Sequence, residues 1–349
     1  YLITSFPTPD SVIGYQQVTP NPQRLVEDQV GDDYIVLTQR PNYQSEAAWR
    51  NERERPGYIQ ANKLRFLRPY QLKAIHALQR AVKDGKDRFL FEMATGTGKT
   101  LTAAAVIKLF LRSGNARRVL FLVDRLELEE QARKALVASL SADFQTVIYK
   151  ENRDDWRRAE IVVTTVQSLL FNNKYQRLFS PTDFDLVISD EAHRSIGGNA
   201  RAVFDYFIGY KLGLTATPRD YLKRFDKAKR TTRDPREAER RLLLDTYRTF
   251  GCENSQPTFR YSLIDGVNDP DGPFLINPTV VDARTEITTE LLSEEGFVVS
   301  FTDDTGEDQQ EAFKQREFEK RFFADATNQL FCKTFLENAL RDPVSGEIG

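Results

Sequence analysis

The stretch Met93-Ala94-Thr95-Gly96-Thr97-Gly98-Lys99-Thr100 restricts the fold of this chain more than any other. An apolar run, "RFLFEM", leads into it, and "TLTAAAVIKLFLR" leaves it with helical spacing. A glycine-rich turn between a strand and a helix folds the backbone into a nest whose N–H groups point at an anion. Thr95, Gly96, Thr97 and Gly98 form the expected phosphate cradle, and Lys99 reaches the outer phosphates of a nucleotide. The Thr100 hydroxyl is placed to ligate Mg²⁺. The general pattern begins with glycine, whereas this chain has Met93 there. That position falls at the strand end, so the cradle survives the change.

Around this loop the pattern is regular. "YQLKAIHALQRAV" reads as an amphipathic helix and "RRVLFLV" as a strand. "LELEEQARKALVASL" is a helix, and "EIVVTT", "DLVISD" and "YKLGLTATP" supply three further strands. Strands alternating with helices imply crossover connections, hence a doubly wound parallel sheet covered on both faces. This α/β domain is expected over 67–218, after a lead-in at 1–66 in which "YIVLT" offers a short strand. A charged connector follows at 219–256. Strand-and-turn material ("FRYSLIDGV", "FLINPTVVDAR") and two helices ("EDQQEAFKQREFEKRFF", "TNQLFCKTFLENAL") suggest that a second α/β domain starts at 257–349.

Composition narrows the classes. No run of about 18 apolar residues is present, which excludes a hydrophobic spanning helix. "YLITSFPTPD" has no signal-peptide pattern, so a cytoplasmic protein is expected. The two cysteines, Cys252 and Cys332, have no metal-ligand spacing. The formal net charge of −2 is unevenly spread. Residues 219–241 hold 10 Lys/Arg against 5 Asp/Glu, and residues 286–349 hold 6 against 15. The basic segment is read either as a polyanion-binding surface or as a solvated connector.

Asp190-Glu191-Ala192-His193 closes the strand "DLVIS" at the carboxyl end, where open α/β sheets bind ligands. Asp190 can hold Mg²⁺, and Glu191 can orient the water that attacks a γ-phosphate. An acidic helix cap is the plainer reading of these residues taken alone. Thr215 and Thr217, in "TATP" at another strand end, can hydrogen-bond the acidic motif.

These elements, in this order, resemble superfamily 2 helicases and translocases of the DEAH-box kind, which implies a RecA-like P-loop domain using ATP and Mg²⁺. In "LRPYQLKAI" the resemblance implies that Gln71 reads adenine and Arg68 lies near the nucleotide. In "FLVDRLELEEQ" and "TTVQSL" it implies nucleic-acid backbone contacts by Arg125, Thr164, Thr165 and Gln167. His193 would couple nucleotide state to those contacts.

A closer likeness is carried by "FPTPD", "FLFEMATGTGKT", "DEAHRSI", "GLTATP", "FRYSLIDGV", "NPTVVDARTEITTELLSEEG" and "FLENALRDPVSGEIG". Together these resemble the motor (R) subunit of type I restriction enzymes. The resemblance implies ATP-driven translocation of double-stranded DNA alongside methylation and specificity subunits. It also implies a nuclease domain, for which no constellation is found: Asp84-Gly85-Lys86 reads as a turn, and "NDPDG" as a loop. The second domain is expected to stop before an arginine finger, leaving a chain that binds ATP but hydrolyses it poorly. Another superfamily 2 DNA helicase, or a non-catalytic docking module, remains the alternative at this point.

Overall fold

The computed structural model describes residues 19–38, 40, 42–150, 154–195, 200–219, 245–252, 255–277, 298–302, 308–312 and 325–339, with isolated residues 9, 12 and 13. The chain forms two compact units, Tyr1–Ile276 and Asn277–Gly349.

Short apolar runs bounded by turns become the strands of unit 1. They are β1 (Arg88–Met93), β2 (Val119–Val123), β3 (Thr146–Ile148), β4 (Ile161–Thr165), β5 (Leu186–Ser189), β6 (Tyr210–Thr215) and β7 (Phe259–Tyr261). The sheet order is β3-β4-β2-β5-β6-β1-β7, and every neighbouring pair is parallel. Registers such as Phe91 opposite Leu214 and Val123 opposite Thr165 align the carboxyl ends of β1, β2, β4 and β6 along one edge of the sheet. β2, β4 and β5 are buried throughout, as a parallel sheet requires when helices cover both faces.

One face packs under α1 (Pro22–Glu27), α2 (Pro69–Lys83), α3 (Lys99–Arg112) and α4 (Leu126–Leu140). The other lies under α5 (Val166–Leu170), α6 (Ala192–Ser195), α7 (Ala200–Tyr206) and α8 (Thr246–Thr249). This is a doubly wound α/β fold, with the loop after β1 at the sheet edge where the strands end.

The lead-in docks on this body. Leu25, Tyr34 and Ile35 enter the core, and the Gln79 amide donates to the carbonyls of Leu25 and Asp28, both at 2.9 Å. "YIVLT" forms only an antiparallel bridge, Leu37 with Arg65, after a 3₁₀ turn at Asp32–Tyr34. Of the stretch 219–256, residues 220–244 lie outside the described residues, and with them nearly all the basic segment. Residues 245–252 dock on the core: Asp245, Thr246, Tyr247, Thr249 and Phe250 are buried, Phe250 beside Phe204. The stretch from 257 also belongs to the first unit as far as Ile276, because Phe259–Tyr261 pairs with the free edge of β1. Strand β7 is followed by α9 (Leu263–Val267), capped reciprocally by Ser262 and Asp265.

In unit 2, β8 (Val298–Thr302) and β9 (Asp308–Ala312) form an antiparallel hairpin, and α10 spans Asp325–Asn338. The expected helix beginning at "EDQQEA" is therefore a strand there: pairing with "VVSFT" outweighs the helix propensity of glutamate and glutamine. "TNQLFCKTFLENAL" is helical as expected. The segment "NPTVVDARTEITTELLSEEG" after Asn277, and the tail from 341, lie outside the described residues.

Candidate nucleotide site and adjoining cleft

Met93 is fully buried as the last residue of β1, which explains how it replaces the usual glycine: its side chain belongs to the core and not to the cradle. The loop turns through Gly96 (φ 82°) and Gly98 (φ 74°), left-handed conformations that glycine adopts without strain. A Cβ on Gly98 would also lie 2.7 Å from Gln71 Nε2. Lys99 opens α3, so its first-turn N–H groups and positive dipole end face the loop. Thr95 and Gly96 are exposed, and Thr100 is partly so.

Two of the residues expected at the nucleotide also bond to the loop itself. The Thr97 side chain is buried and its hydroxyl donates to Ala94 O at 2.6 Å, closing the loop from inside. Gln71 is 2% exposed. Its Oε1 accepts from Arg68 N at 2.9 Å, while Nε2 donates to Thr97 O (3.0 Å) and Gly98 O (3.3 Å). Both ends of the amide are thus engaged with backbone, and Gln71 shapes the cradle. Tyr70 assists, its hydroxyl donating to Thr97 O at 2.8 Å. The Arg68 guanidinium lies 4.9 Å from the centre of the Phe274 ring, at the rim of this region.

The acidic motif meets the loop. Lys99 Nζ is 3.8 Å from Glu191 Oε1. Glu191 Oε2 lies 3.4 Å from His193 Nδ1, which is 2.9 Å from Thr215 Oγ1. The Thr215 hydroxyl oxygen in turn accepts the Thr217 N–H at 3.1 Å. Three loops at the sheet edge are therefore joined by one run of polar contacts. Glu191 sits at φ 48°, a conformation that costs a non-glycine residue about 1 kcal/mol or more and marks strain at the turn after β5. Burial pushes the Asp190 carboxyl up, Glu191 adds to this, and Lys99 opposes it. Burial pushes His193 down, which keeps the imidazole neutral near neutrality.

No group of three or more His, Cys, Asp or Glu that could hold a metal occurs among the described residues, so these supply no all-protein cage. A single part-buried carboxylate, Asp190, with the Thr100 hydroxyl suits a Mg²⁺ that keeps water and phosphate oxygens as its remaining ligands. The nuclease-like fragments are structural: Asp84-Gly85-Lys86 is the turn ending α2, and Asp269 accepts a hydrogen bond from the Tyr261 hydroxyl at 2.6 Å.

Beside this site, at the ends of β2 and β4, lies a cleft of about 570 Å³. Arg125, 65% exposed and 3.5 Å from Asp124, stands on its wall with exposed Gln167. Thr165 also lines it, but its hydroxyl caps α5 by accepting from Ser168 N at 3.0 Å. Thr164 is fully buried in β4 and is not available to a ligand; strand alternation turns only every second side chain to a given face. Lys150, Phe171 and Lys174 also line it, with Phe171 63% exposed, as does the buried carboxylate of Glu129, which accepts from Thr165 N at 3.0 Å. The sequence reading missed Lys150, Phe171 and Lys174 because they belong to no motif: Lys150 follows β3, while Phe171 and Lys174 lie in the 3₁₀ turn Phe171–Asn173 and the short helix Lys174–Arg177 after α5.

Residues 65–220 match the family model described as "Type III restriction enzyme, res subunit". The chain is similar to the type I restriction enzyme EcoKI endonuclease subunit of Escherichia coli strain K12, 31% identical over 311 residues, covering 80% of this chain and 24% of that protein. It is also similar to the type I restriction enzyme EcoAI endonuclease subunit of Escherichia coli, 37% identical over 164 residues, covering 44% and 19% respectively. It thus spans a quarter or less of the length of these relatives. Among solved structures, the Pyrococcus furiosus Hef helicase domain aligns at 22% identity with a TM-score of 0.41, covering 62% of this chain and 40% of that one.

Proposed function

We propose that this chain is part of an ATP-driven motor that moves double-stranded DNA; the reading is supported by the match of residues 65–220 to the res-subunit family model and by the chain's similarity to type I restriction endonuclease subunits. The observation that carries this reading is the contact run Lys99–Glu191–His193–Thr215, which ties the phosphate loop to two further strand ends.

In this reading the cradle of Thr95, Gly96 and Gly98 binds the phosphates of ATP, and Lys99 neutralises the outer two. Thr100 and Asp190 would hold Mg²⁺, which when bound offsets the charge developing between the β- and γ-phosphate oxygens. Glu191 orients the attacking water. Its contact with Lys99 is exchanged for the phosphate when nucleotide enters, freeing the carboxylate for that task. His193, neutral and bonded to Thr215, senses the change in Glu191 and passes it to Thr217. Arg125 and Gln167 grip the sugar–phosphate backbone, giving hold without sequence reading. Sequence choice would then fall to a specificity subunit, and modification to a methylation subunit, in a cytoplasmic complex.

The test is triplex displacement by the complex reconstituted with methylation and specificity subunits. ATP-dependent displacement of a third strand, lost in Lys99→Ala, is expected. Unwinding of a forked duplex without triplex displacement would identify a strand-separating helicase instead.

A further inference from the structure

The nucleotide loop is braced from outside by a segment that no nucleotide motif covers. Tyr261, the last residue of β7, accepts the Ala94 N–H on its carbonyl at 2.9 Å, at the point where the chain leaves β1. Its ring stacks on Tyr70 with centroids 4.0 Å apart and planes 11° from parallel. Tyr70 in turn holds Thr97 O, so Tyr261 backs both ends of the loop, by its own carbonyl at Ala94 and through the Tyr70 ring at Thr97.

Farther along, Leu275 Cδ2 lies 3.3 Å from the place a Cβ on Gly96 would occupy. Leu275 is seated by Gly266, whose carbonyl accepts from Phe274 N (2.9 Å) and Leu275 N (3.0 Å). A Cβ on Gly266 would lie 2.6 Å from Leu275 Cδ1, 2.8 Å from Cγ and 3.2 Å from Cβ. Only glycine allows this approach. The turn is fixed by the Ser262–Asp265 capping box and by the Tyr261 hydroxyl on Asp269.

We infer that Tyr261 and Leu275 are positioning residues for the nucleotide, and that 261–275 acts as a strap holding the Ala94–Gly98 loop in its phosphate-receiving shape. A loop with two left-handed glycines has much conformational freedom to lose on binding, and a brace that removes it beforehand strengthens binding. By linkage, phosphates in the loop steady the strap to the same degree. This rests on the nucleotide-site reading above and adds a device to it.

The experiment measures binding of a fluorescent ATP analogue with Mg²⁺ to the 349-residue chain. Gly266→Ala, which forces Leu275 off its seat, and Leu275→Ala, which empties the space beside Gly96, are each expected to weaken binding roughly three- to tenfold. The pair should be non-additive, since both act through one contact, and Leu275→Met should bind as the unaltered chain does. Hydrogen exchange supplies a readout that needs no variant: the analogue should slow amide exchange across 262–276. If the unaltered chain binds, Lys99→Ala abolishes binding, yet both strap variants bind normally and the amides of 262–276 do not respond, the strap proposal falls alone. Failure of the unaltered chain to bind overturns the nucleotide reading, and the strap's role with it.

Discussion

Glu191 occupies a left-handed turn between a strand and a short helix, with one carboxylate oxygen toward Lys99 and the other toward His193. Its amide isostere would keep the turn and the size but lose the charge that polarises water. Glu191→Gln is therefore expected to bind ATP normally while hydrolysis falls about a hundredfold or more. Steady-state ATPase set beside nucleotide affinity separates the two; equal loss in both would make Glu191 a binding residue. A second charged side chain, Lys211, lies far from this chemistry. It is fully enclosed, donates to Phe207 O and faces the Phe204 ring, with Arg88, Asp205 and Asp87 around it. Burial pushes its ammonium down to about 7 from the ordinary 10.5. Between those values the unfolded chain binds the proton and the folded chain does not, so stability rises with pH across that window and the full penalty applies below it. Lys211→Met should raise thermal stability near pH 6 by on the order of a few kcal/mol, with the gain shrinking toward pH 10. Melting curves at the two ends of that range decide it: a pH-independent gain would mean that packing, not charge, is the cause.

Elements far apart in sequence meet in the core at Gly213 of β6. A Cβ there would lie 2.5 Å from Phe250 Cζ, and Phe250 is fully buried. Gly213→Ala is expected to cost roughly 1–3 kcal/mol, because the ring is walled in by Phe204 and has little room to retreat. Chemical unfolding measures this, and a neutral result would show residues 245–252 to be loosely attached. That contact was not readable in the sequence, where 219–256 is charged enough to look like a connector throughout. Local rules succeeded where one segment carries its own signal. The apolar runs at 88–93, 161–165 and 186–189, each bounded by polar or glycine residues, became buried parallel strands. Those rules failed where structure depends on a distant partner. β3 is only three residues long and exists because β4 offers an edge; β7 falls where strand material was expected, but it joins this sheet and not a second domain because β1 offers it an edge. In the site, glycine spacing and the acidic motif pointed to one place. No spacing could reveal that Gln71 spends its amide on the loop backbone, that Thr164 faces inward, or that Lys150, Phe171 and Lys174 converge on the cleft.

Over the whole molecule the charges nearly cancel, at −2 for 349 residues. A polyanion is therefore not drawn in by net charge, and any grip on duplex DNA has to come from a local concentration of cations. The cleft beside the nucleotide site offers Arg125, Lys150 and Lys174 around a shared hollow, with Asp124 engaged by Arg125 and Arg194 and Glu129 accepting from Thr165 N. If DNA phosphates lie there, each neutralised phosphate releases counterions, and binding weakens linearly in log affinity against log salt. Arg125→Ala is expected to reduce that slope by about 1 and to weaken binding evenly across unrelated sequences, since a phosphate contact carries no base information. Lys134→Ala provides the contrast: Lys134 is exposed, pairs with Glu130 on the same helix and does not line the cleft. It should leave the slope unchanged. Salt titrations of duplex binding with both variants give the comparison, and equal effects would place the DNA elsewhere on unit 1. A slope lowered only by Arg125→Ala would put the track at the ends of β2 and β4. It would then lie beside the sheet edge where Glu191, His193 and Thr215 are joined, close enough for a change at the γ-phosphate to reach it through packed strand ends.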